Sequence, residues 1–374
     1  MRIGIIGFGN IGSTLAADLS SRNHEVSVYS SANLGHGVNY QLTDMDSGYT
    51  INSEIYLITD DFKLAVSDRE LIFVTYPSFM LHELSQWLIK NLDNKTSVCV
   101  VPGTGGAEYL MKDLIDNGHE LYGLGRVPYI ARIAERNRKT LYSRKSSITA
   151  APISGGDSTQ FINCLSNLLK MEVIELGNYL AIALTPSNAI LHTSRLYSLF
   201  KNYQVGAYYS SVPLFYEQWD NDSSNWLITL DKEVEELVYH LPKELDMSDF
   251  KTIRKHYESW TSNEITAKIS SIDSFKGILT PMIKKDEGFI PNFKSRYFTE
   301  DFPYGLLLLK AFSLIVGTDT PGMNRVLSWY QDNMQKHYLT KDGMPGKDFL
   351  AADVPQAHGI QNMTDLLQYY RENQ

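Results

Sequence analysis

The chain of 374 residues is predicted to form an α/β domain followed by a mainly α-helical domain. Short apolar segments alternate with helical segments in the first half, and a glycine-rich turn directly follows the first apolar segment. From about Pro186, strand patterns give way to longer helical periods. Because one hydrophobic core rarely serves a chain of this length, we expect two domains, residues 1–177 and 178–374.

The strands of the first domain are predicted from apolar runs, and its helices from the amphipathic segments between them. Their alternation is typical of βαβ units, which build a parallel sheet. The predicted strands are Ile3–Ile6, Glu25–Tyr29, Leu71–Tyr76 and Ser97–Val101, with an inserted hairpin from Tyr40 to Thr59. The predicted helices are Ile11–Arg22, Ser78–Asn94 and Ala107–Asn117, then Ser187–Tyr203, Asp231–His240 and Tyr304–Val316 in the second domain.

Gly7, Gly9 and Gly12 form a Gly-x-Gly-x-x-Gly motif between the first predicted strand and helix. Such a motif needs a tight turn at the first glycine, close approach of a pyrophosphate at the second and tight helix packing at the third. A turn that binds nothing is the alternative, but the strand and helix around the motif disfavour it. We therefore predict a Rossmann-type dinucleotide-binding domain. The predicted cofactor-binding residues of this turn are Gly7, Phe8, Gly9, Asn10, Ile11 and Gly12.

The end of the second predicted strand bears on the choice of cofactor. Ser30 stands where an NAD-preferring site usually presents an acidic residue to the ribose 2′-hydroxyl. No carboxylate there repels a 2′-phosphate, and no arginine at 31–35 pairs with one. The sequence predicts NAD(P)H as cofactor, contacted also by Ser30 and Ser31, with a slight lean to NADP.

Composition and charge exclude several classes of protein. Hydrophobic residues make up 43% and charged residues 21%, which is a globular balance. The formal net charge of −9 argues against a general nucleic-acid binder. The two cysteines, Cys99 and Cys164, fit neither a disulfide framework nor a zinc ribbon, so no metal site is predicted.

The sequence is expected to be that of a soluble cytoplasmic protein without a membrane partner. Its start turns to glycine at Gly4, too soon for the apolar region of a signal peptide. The longest apolar run, from Leu306 to Val316, is interrupted by Lys310 and is too short for a membrane span. A monomer or a homodimer is expected.

Asn188 and His192 lie four residues apart on a predicted helix and therefore share a face. A histidine that borders a cofactor domain is a candidate general acid/base, although a hydrogen-bonded core histidine is the commoner use of this residue. Further along, Glu300 and Asp301 are followed by aromatic, proline and glycine residues. This pattern predicts an immobilised loop that holds Asp301 against His192. Capping of the next helix by the two carboxylates is an equal alternative.

Three segments in the right order, Gly7–Gly12, Asn188–His192 and Arg296–Gly305, resemble the octopine/nopaline (opine) dehydrogenase family. The Thr-Glu-Asp-x-Pro-Tyr-Gly string in the third segment is the most distinctive. Arg126–Arg132 also resembles the family's Leu-Pro-Tyr-x-x-Arg segment, with Val127 in place of leucine. The resemblance covers nearly the whole chain.

The resemblance implies an enzyme that joins the amino group of an amino acid to the keto carbon of an α-keto acid such as pyruvate and reduces the imine with NAD(P)H. It implies His192 and Asp301 as the catalytic pair, with hydride transfer at an interdomain cleft. Arg296 would bind a substrate carboxylate through its guanidinium fork, and a structural salt bridge is the alternative role. Asn188 would bind substrate or orient His192 or the nicotinamide.

Two other functions fit part of the sequence. A relative of ketopantoate reductase or glycerol-3-phosphate dehydrogenase would use a catalytic lysine at the domain junction, where this chain has His192 and no lysine before Lys201. A non-catalytic dinucleotide-sensing module would require the pairing of His192 with Asp301 to be accidental.

Three clusters carry weaker expectations. Basic residues from Arg126 to Lys145 suit anionic ligands, but a solvated face is favoured. Ten acidic residues between Glu217 and Asp249 predict a solvated surface. The aromatic residues from Tyr197 to Trp219 are expected mainly to pack in the core rather than to line an amino-acid pocket.

Overall fold

The computed structural model describes residues 1–93, 95–153, 158–285 and 287–372. The chain divides into two compact units, one of Met1–Ala183 with the end of the chain from Tyr370, and one of Leu184–Tyr369. The first unit extends to Ala183 because a short helix, Leu180–Ala183, contacts a strand of its sheet. The division at residue 177 stays a prediction.

The first unit is an α/β domain. Its strands are β1 (Arg2–Ile6), β2 (Glu25–Tyr29), β3 (Gly35–Asp44), β4 (Thr50–Thr59), β5 (Leu71–Val74), β6 (Ser97–Val100), β7 (Leu121–Leu124), β8 (Tyr129–Glu135), β9 (Lys139–Arg144), β10 (Ser147–Pro152) and β11 (Glu172–Glu175). Its helices are α1 (Asn10–Ser20), α2 (Phe62–Val66), α3 (Leu81–Asn91), α4 (Ala107–Leu110), α5 (Lys112–Asp116), α6 (Thr159–Leu169) and α7 (Leu180–Ala183).

In the described part of this unit, eleven strands form one sheet in the order β11-β10-β7-β6-β5-β1-β2-β4-β3-β9-β8. The strands from β7 to β4 in this order are parallel. Ile6 at the end of β1 is in register with Tyr29 on one side and Val74 on the other. The turns that follow these three strands therefore meet at one edge of the sheet, where dinucleotides bind in open α/β sheets.

The predicted parallel sheet is confirmed, with differences at its margins. The helix predicted over residues 78–94 is a 3₁₀ turn, Ser78–Met80, followed by α3, and Asn94 lies outside the described residues. The helix predicted over residues 107–117 is interrupted at Met111. The strands β7 to β11 were not predicted, and charged residues in β8, β9 and β11 obscure the apolar pattern there.

The second unit is mainly helical, as predicted. Its helices are α8 (Asn188–Phe200), α9 (Asn221–Tyr239), α10 (Ile253–Tyr257), α11 (Ser262–Ser271), α12 (Arg296–Thr299), α13 (Leu307–Val316), α14 (Pro321–Met334) and α15 (Met363–Glu372), the last residues of which, from Tyr370, belong to the first unit. Its strands are β12 (Met282–Lys285) and β13 (Gly288–Pro291). Within the described ranges, no helix combines the length and the apolar character needed to cross a membrane.

Two predictions for this unit are corrected. Helix α9 begins ten residues before the predicted Asp231, because the Asp220 carboxylate caps it by accepting a hydrogen bond from the Ser223 amide at 2.8 Å. The stretch predicted to be a loop before α13 is instead α12 and a wide π-type helical turn, Phe302–Leu306, which packs against α8. Asp301 lies between these two helical pieces.

Candidate active site

The glycine-rich turn after β1 is built for a tight backbone and an open face. Gly7 has a φ of +105°, and a Cβ there would lie 2.5 Å from Thr75 Oγ1. A Cβ at Gly12 would lie 2.0 Å from the Gly7 carbonyl oxygen. At Gly9, by contrast, no heavy atom of the described residues other than Gly9 and its two chain neighbours lies within 4 Å of a Cβ position. The fold itself therefore requires Gly7 and Gly12, whereas the space at Gly9 suits the close approach of a diphosphate.

The side chains of Phe8, Asn10 and Ile11 each contact another part of the first unit. The Phe8 ring lies edge-on to Tyr40 with ring centroids 5.5 Å apart, and Ile11 packs against the core of the sheet. Asn10 Oδ1 accepts a hydrogen bond from the Ile133 amide at 3.0 Å. The three residues thus fix the shape of the turn, and their predicted cofactor contact rests on backbone N–H groups at the start of α1.

Ser30 and Ser31 lie where β2 ends beside β4. The Ser30 hydroxyl accepts a hydrogen bond from the Ala32 amide at 3.1 Å, and its own amide donates to the Thr59 carbonyl at 2.8 Å. Ser30 is buried, whereas Ser31 is exposed. A folded serine turn therefore stands in place of an acidic residue at this strand end, and the lean toward NADP stays a prediction.

In the second unit, the structure brings His192 and Asp301 together. His192 Nδ1 lies 2.7 Å from Asp301 Oδ2, and the histidine is 8% exposed. Because a carboxylate only accepts hydrogen bonds, Nδ1 carries a proton. The second ring nitrogen, Nε2, lies 2.8 Å from the hydroxyl of Tyr216. Both nitrogens of the imidazole are therefore hydrogen-bonded within the protein.

Close packing of two elements sets the contact between His192 and Asp301. Gly305, in the wide turn, lies against Ala189 of α8, where a Cβ on the glycine would be 2.9 Å from the alanine Cβ. The backbone amide of Leu306 donates to the Asp301 carbonyl at 3.0 Å, which ties the aspartate to the same turn. The wide turn therefore holds the Asp301 carboxylate beside His192, which lies about one helical turn after Ala189 on α8.

Aromatic rings enclose the imidazole of His192. The Tyr297 ring lies 4.5 Å from it at an angle of 37°, and Phe215 lies edge-on at 5.5 Å. Burial, with a smaller contribution from the negative charge of Asp301, raises the pKa of Tyr297 to about 12. Burial also raises the pKa of Tyr216 well above its usual range. Both side chains are therefore neutral phenols near pH 7.

A buried arginine on α8 holds the segment that carries Tyr216. Arg195 is 1% exposed, and its guanidinium donates to the carbonyls of Phe215 at 3.0 Å and Gln218 at 2.5 Å. It also pairs with the Asp220 carboxylate at 3.2 Å. Because charge-assisted hydrogen bonds are stronger than neutral ones, this network fixes the backbone on both sides of the tyrosine.

The two predicted substrate-binding residues are exposed. Asn188 is the first residue of α8, one helical turn before His192, and Arg296 is the first residue of α12, next to Tyr297. Among the residues that the structure describes, neither side chain forms a hydrogen bond or ion pair. The structural salt bridge considered for Arg296 is therefore not seen there, and its guanidinium is available to a ligand.

The described residues contain no group of three or more His, Cys, Asp or Glu side chains placed to hold a metal ion. The first lysine of the second unit, Lys201, pairs with Asp222 Oδ2 at 2.6 Å. The acid/base candidates that the geometry assembles are thus the imidazole of His192, the carboxylate of Asp301 and the phenol of Tyr216.

Comparison with known proteins adds independent information. Residues 175–334 match the family described as NAD/NADP octopine/nopaline dehydrogenase, alpha-helical domain, and residues 2–103 match that described as NADP oxidoreductase, coenzyme F420-dependent. Octopine dehydrogenase of Mizuhopecten yessoensis is 25% identical over 333 residues, which cover 85% of this chain and 83% of the relative.

Solved structures of octopine dehydrogenase share the fold. The complex with NADH and L-arginine has a TM-score of 0.82 and 23% identity to this chain, and 98% of each chain is covered. The complex with NADH and pyruvate has a TM-score of 0.81 at the same identity and coverage.

Proposed function

We propose that His192 and Asp301 carry out the proton transfer of this chain, which belongs to the octopine/nopaline (opine) dehydrogenase family. The chain is an NAD(P)-dependent oxidoreductase that acts on CH–NH bonds. The reaction is the reductive condensation of an amino acid with an α-keto acid such as pyruvate. The observation that supports these roles is the buried contact of 2.7 Å between His192 Nδ1 and Asp301 Oδ2.

The chemistry of condensation explains why such a pair is needed. Attack of an amine on a keto carbon gives a carbinolamine, whose hydroxyl leaves only with a proton. An imidazolium at His192 supplies that proton, and the Asp301 carboxylate stabilises the cation and fixes the ring. The product of this step is a cationic iminium. The reduced nicotinamide, when bound, supplies the hydride that converts it to a secondary amine.

The remaining predicted residues fit the same reaction. The open face at Gly9 and the start of α1 would hold the diphosphate of the cofactor. Arg296, exposed and without a hydrogen bond or ion pair among the described residues, would bind a substrate carboxylate in the two-pronged geometry of a guanidinium. Asn188 would bind substrate or orient the nicotinamide from one turn before His192.

The closest competing function requires a different proton donor. Ketopantoate reductases and glycerol-3-phosphate dehydrogenases use a lysine at the domain junction, but Lys201 is engaged with Asp222. Helix α8 carries instead a histidine, His192, whose ring is hydrogen-bonded to the Asp301 carboxylate. The geometry therefore favours acid/base chemistry at an imidazole.

An assay of NAD(P)H oxidation tests the proposal. Pyruvate, 2-oxoglutarate, glyoxylate and oxaloacetate are crossed with a panel of amino acids, and each cofactor is used in turn. We expect oxidation that requires both an amino acid and a keto acid, with a lower Michaelis constant for NADPH. Oxidation with a keto acid alone would instead indicate a simple 2-hydroxy-acid dehydrogenase. The proposal includes a cytoplasmic location and a monomer or homodimer, and size-exclusion chromatography of the active protein checks the oligomeric state.

A further inference from the structure

The Tyr216 hydroxyl binds Nε2 of His192, the imidazole nitrogen that Asp301 does not bind. In the neutral ring, with its proton on Nδ1, Nε2 accepts a hydrogen bond from the phenol at 2.8 Å. In the imidazolium, Nε2–H donates to the same oxygen. Because Asp301 and Tyr216 bind the two ring nitrogens in either state, a proton that leaves His192 for a third group passes through one of these partners.

Tyr216 is the partner suited to pass a proton on. A carboxylate bound to Nδ1 has no proton of its own, whereas a phenol accepts one proton and releases another from the same oxygen. Burial, with smaller electrostatic contributions from Tyr297, Tyr257 and Asp301, raises the pKa of Tyr216 well above its usual range. The phenol of Tyr216 therefore releases its proton only when it receives another on the same oxygen.

The surroundings of Tyr216 oppose a movement that would uncover Nε2. Its ring stacks on Phe275 with centroids 4.2 Å apart and lies parallel to Trp219 at 6.4 Å. The neighbouring Phe215 carbonyl is held by the buried guanidinium of Arg195. Displacement of the tyrosine by substrate would break this packing, and transfer through its hydroxyl leaves the packing intact.

We infer that Tyr216 is the residue that hands the proton to the substrate, at the end of a chain from Asp301 through His192, an inference that rests on the proposed function. The imidazolium Nε2–H bond breaks as a new O–H bond forms at Tyr216. The phenolic proton moves to the carbinolamine hydroxyl. The C–O bond then breaks with its electron pair on oxygen, water leaves, and the nitrogen lone pair forms the C=N bond. His192 ends neutral, and Tyr216 is again a phenol.

Replacement of the hydroxyl tests the inference. In the full-length protein with NAD(P)H, keto acid and amino acid, Tyr216→Phe is expected to lower kcat about 10²-fold or more, the range that general acid catalysis contributes. The alkaline limb of the pH profile of kcat should move to lower pH, because the imidazolium loses its hydrogen-bond acceptor at Nε2. The Michaelis constant for NAD(P)H should be unchanged.

Tyr197→Phe is a matched control. Tyr197 lies on α8 and, like Tyr216, is buried. Its hydroxyl accepts one hydrogen bond from Arg325 at 3.1 Å and has no part in the proposed chain. This variant should keep the wild-type kcat and pH profile. If Tyr216→Phe behaves in the same way, Tyr216 only packs in the core and the inference is wrong. If the wild type shows no activity that needs both substrates, the proposed function itself is wrong.

A measurement on the wild-type protein does not depend on the folding of a variant. The rate of the condensation step in a single turnover is followed in mixtures of H₂O and D₂O. Transfer through Tyr216 moves two protons together and predicts a curved dependence on the deuterium fraction. A linear dependence, which indicates one proton in flight, would contradict the inference.

Discussion

Two glycines of the glycine-rich turn, Gly9 and Gly12, are explained by different physical causes. Gly12 is required by the protein, because a Cβ there would lie 2.0 Å from the Gly7 carbonyl oxygen. Gly9 has an ordinary extended backbone, with φ −79°, and open space at its Cβ position among the described residues. Neither strain nor packing explains a glycine there, so a bound ligand is the remaining physical reason.

This difference predicts opposite effects of two alanine variants. Gly9→Ala should leave the free energy of unfolding nearly unchanged but weaken NAD(P)H binding about tenfold or more, which is about 1.4 kcal/mol. Gly12→Ala should destabilise the fold by about 1–3 kcal/mol, as overpacking does. Denaturant unfolding and fluorescence titration measure the two effects. A Gly9→Ala variant with wild-type affinity would show that the diphosphate does not approach at Gly9.

Charged residues were the least predictable at the residue scale. The acidic cluster was expected to form a solvated surface, but Asp231 is buried and accepts hydrogen bonds from the Ile253 amide at 2.7 Å and the Arg254 guanidinium at 2.8 Å. Among the basic residues from Arg126 to Lys145, Arg144 pairs with the buried Asp18 at 2.6 Å. Partners distant in sequence decide whether such a charge is buried, and composition does not reveal them.

At the scale of elements, the approach of the wide turn to α8 determines the geometry of the proposed acid/base pair, His192 and Asp301. Gly305 has no positive φ, so an alanine there meets no backbone strain and acts only through the contact with Ala189. That contact lies three residues before His192 along α8. A change of a few tenths of an ångström at this point therefore moves Asp301 relative to the imidazole.

Gly305→Ala should lower kcat about 10- to 100-fold, because small misplacement of catalytic groups has effects of this size. The added methyl group would lie 2.9 Å from the Ala189 Cβ. Ala189→Gly removes that methyl group, and the double variant should recover a large part of the lost kcat. Steady-state kinetics of the two single variants and the double variant measure the recovery. Equal losses in the Gly305→Ala and double variants would show that the turn does not act through this contact.

At the scale of the whole molecule, the parts predicted from sequence are those with local patterns. The glycine turn is contiguous, and the segment around Asp301 has a distinctive order of residues, so both were found. Tyr216 was expected to be core packing, and Arg195 was not singled out, because their roles depend on contacts between segments about 20 residues apart. The sequence signal for Arg195 was an arginine three residues after the candidate histidine.

The residues proposed to bind the cofactor and those proposed to transfer protons lie in different compact units. The glycine-rich turn belongs to the first unit, whereas His192, Asp301 and Tyr216 belong to the second. Loss of the imidazole should therefore affect proton transfer without affecting the residues expected to hold the dinucleotide. This separation lets one variant distinguish a role in catalysis from a role in folding or cofactor binding.

His192→Ala is the most direct test of the central claim, that His192 with Asp301 drives a condensation of two substrates. We measure kcat for NAD(P)H oxidation with both substrates and the dissociation constant of NAD(P)H by fluorescence. The expected result is a fall in kcat of about 10²- to 10⁴-fold, the usual contribution of general acid–base catalysis, with cofactor affinity retained. A variant that keeps nearly wild-type kcat would contradict the account.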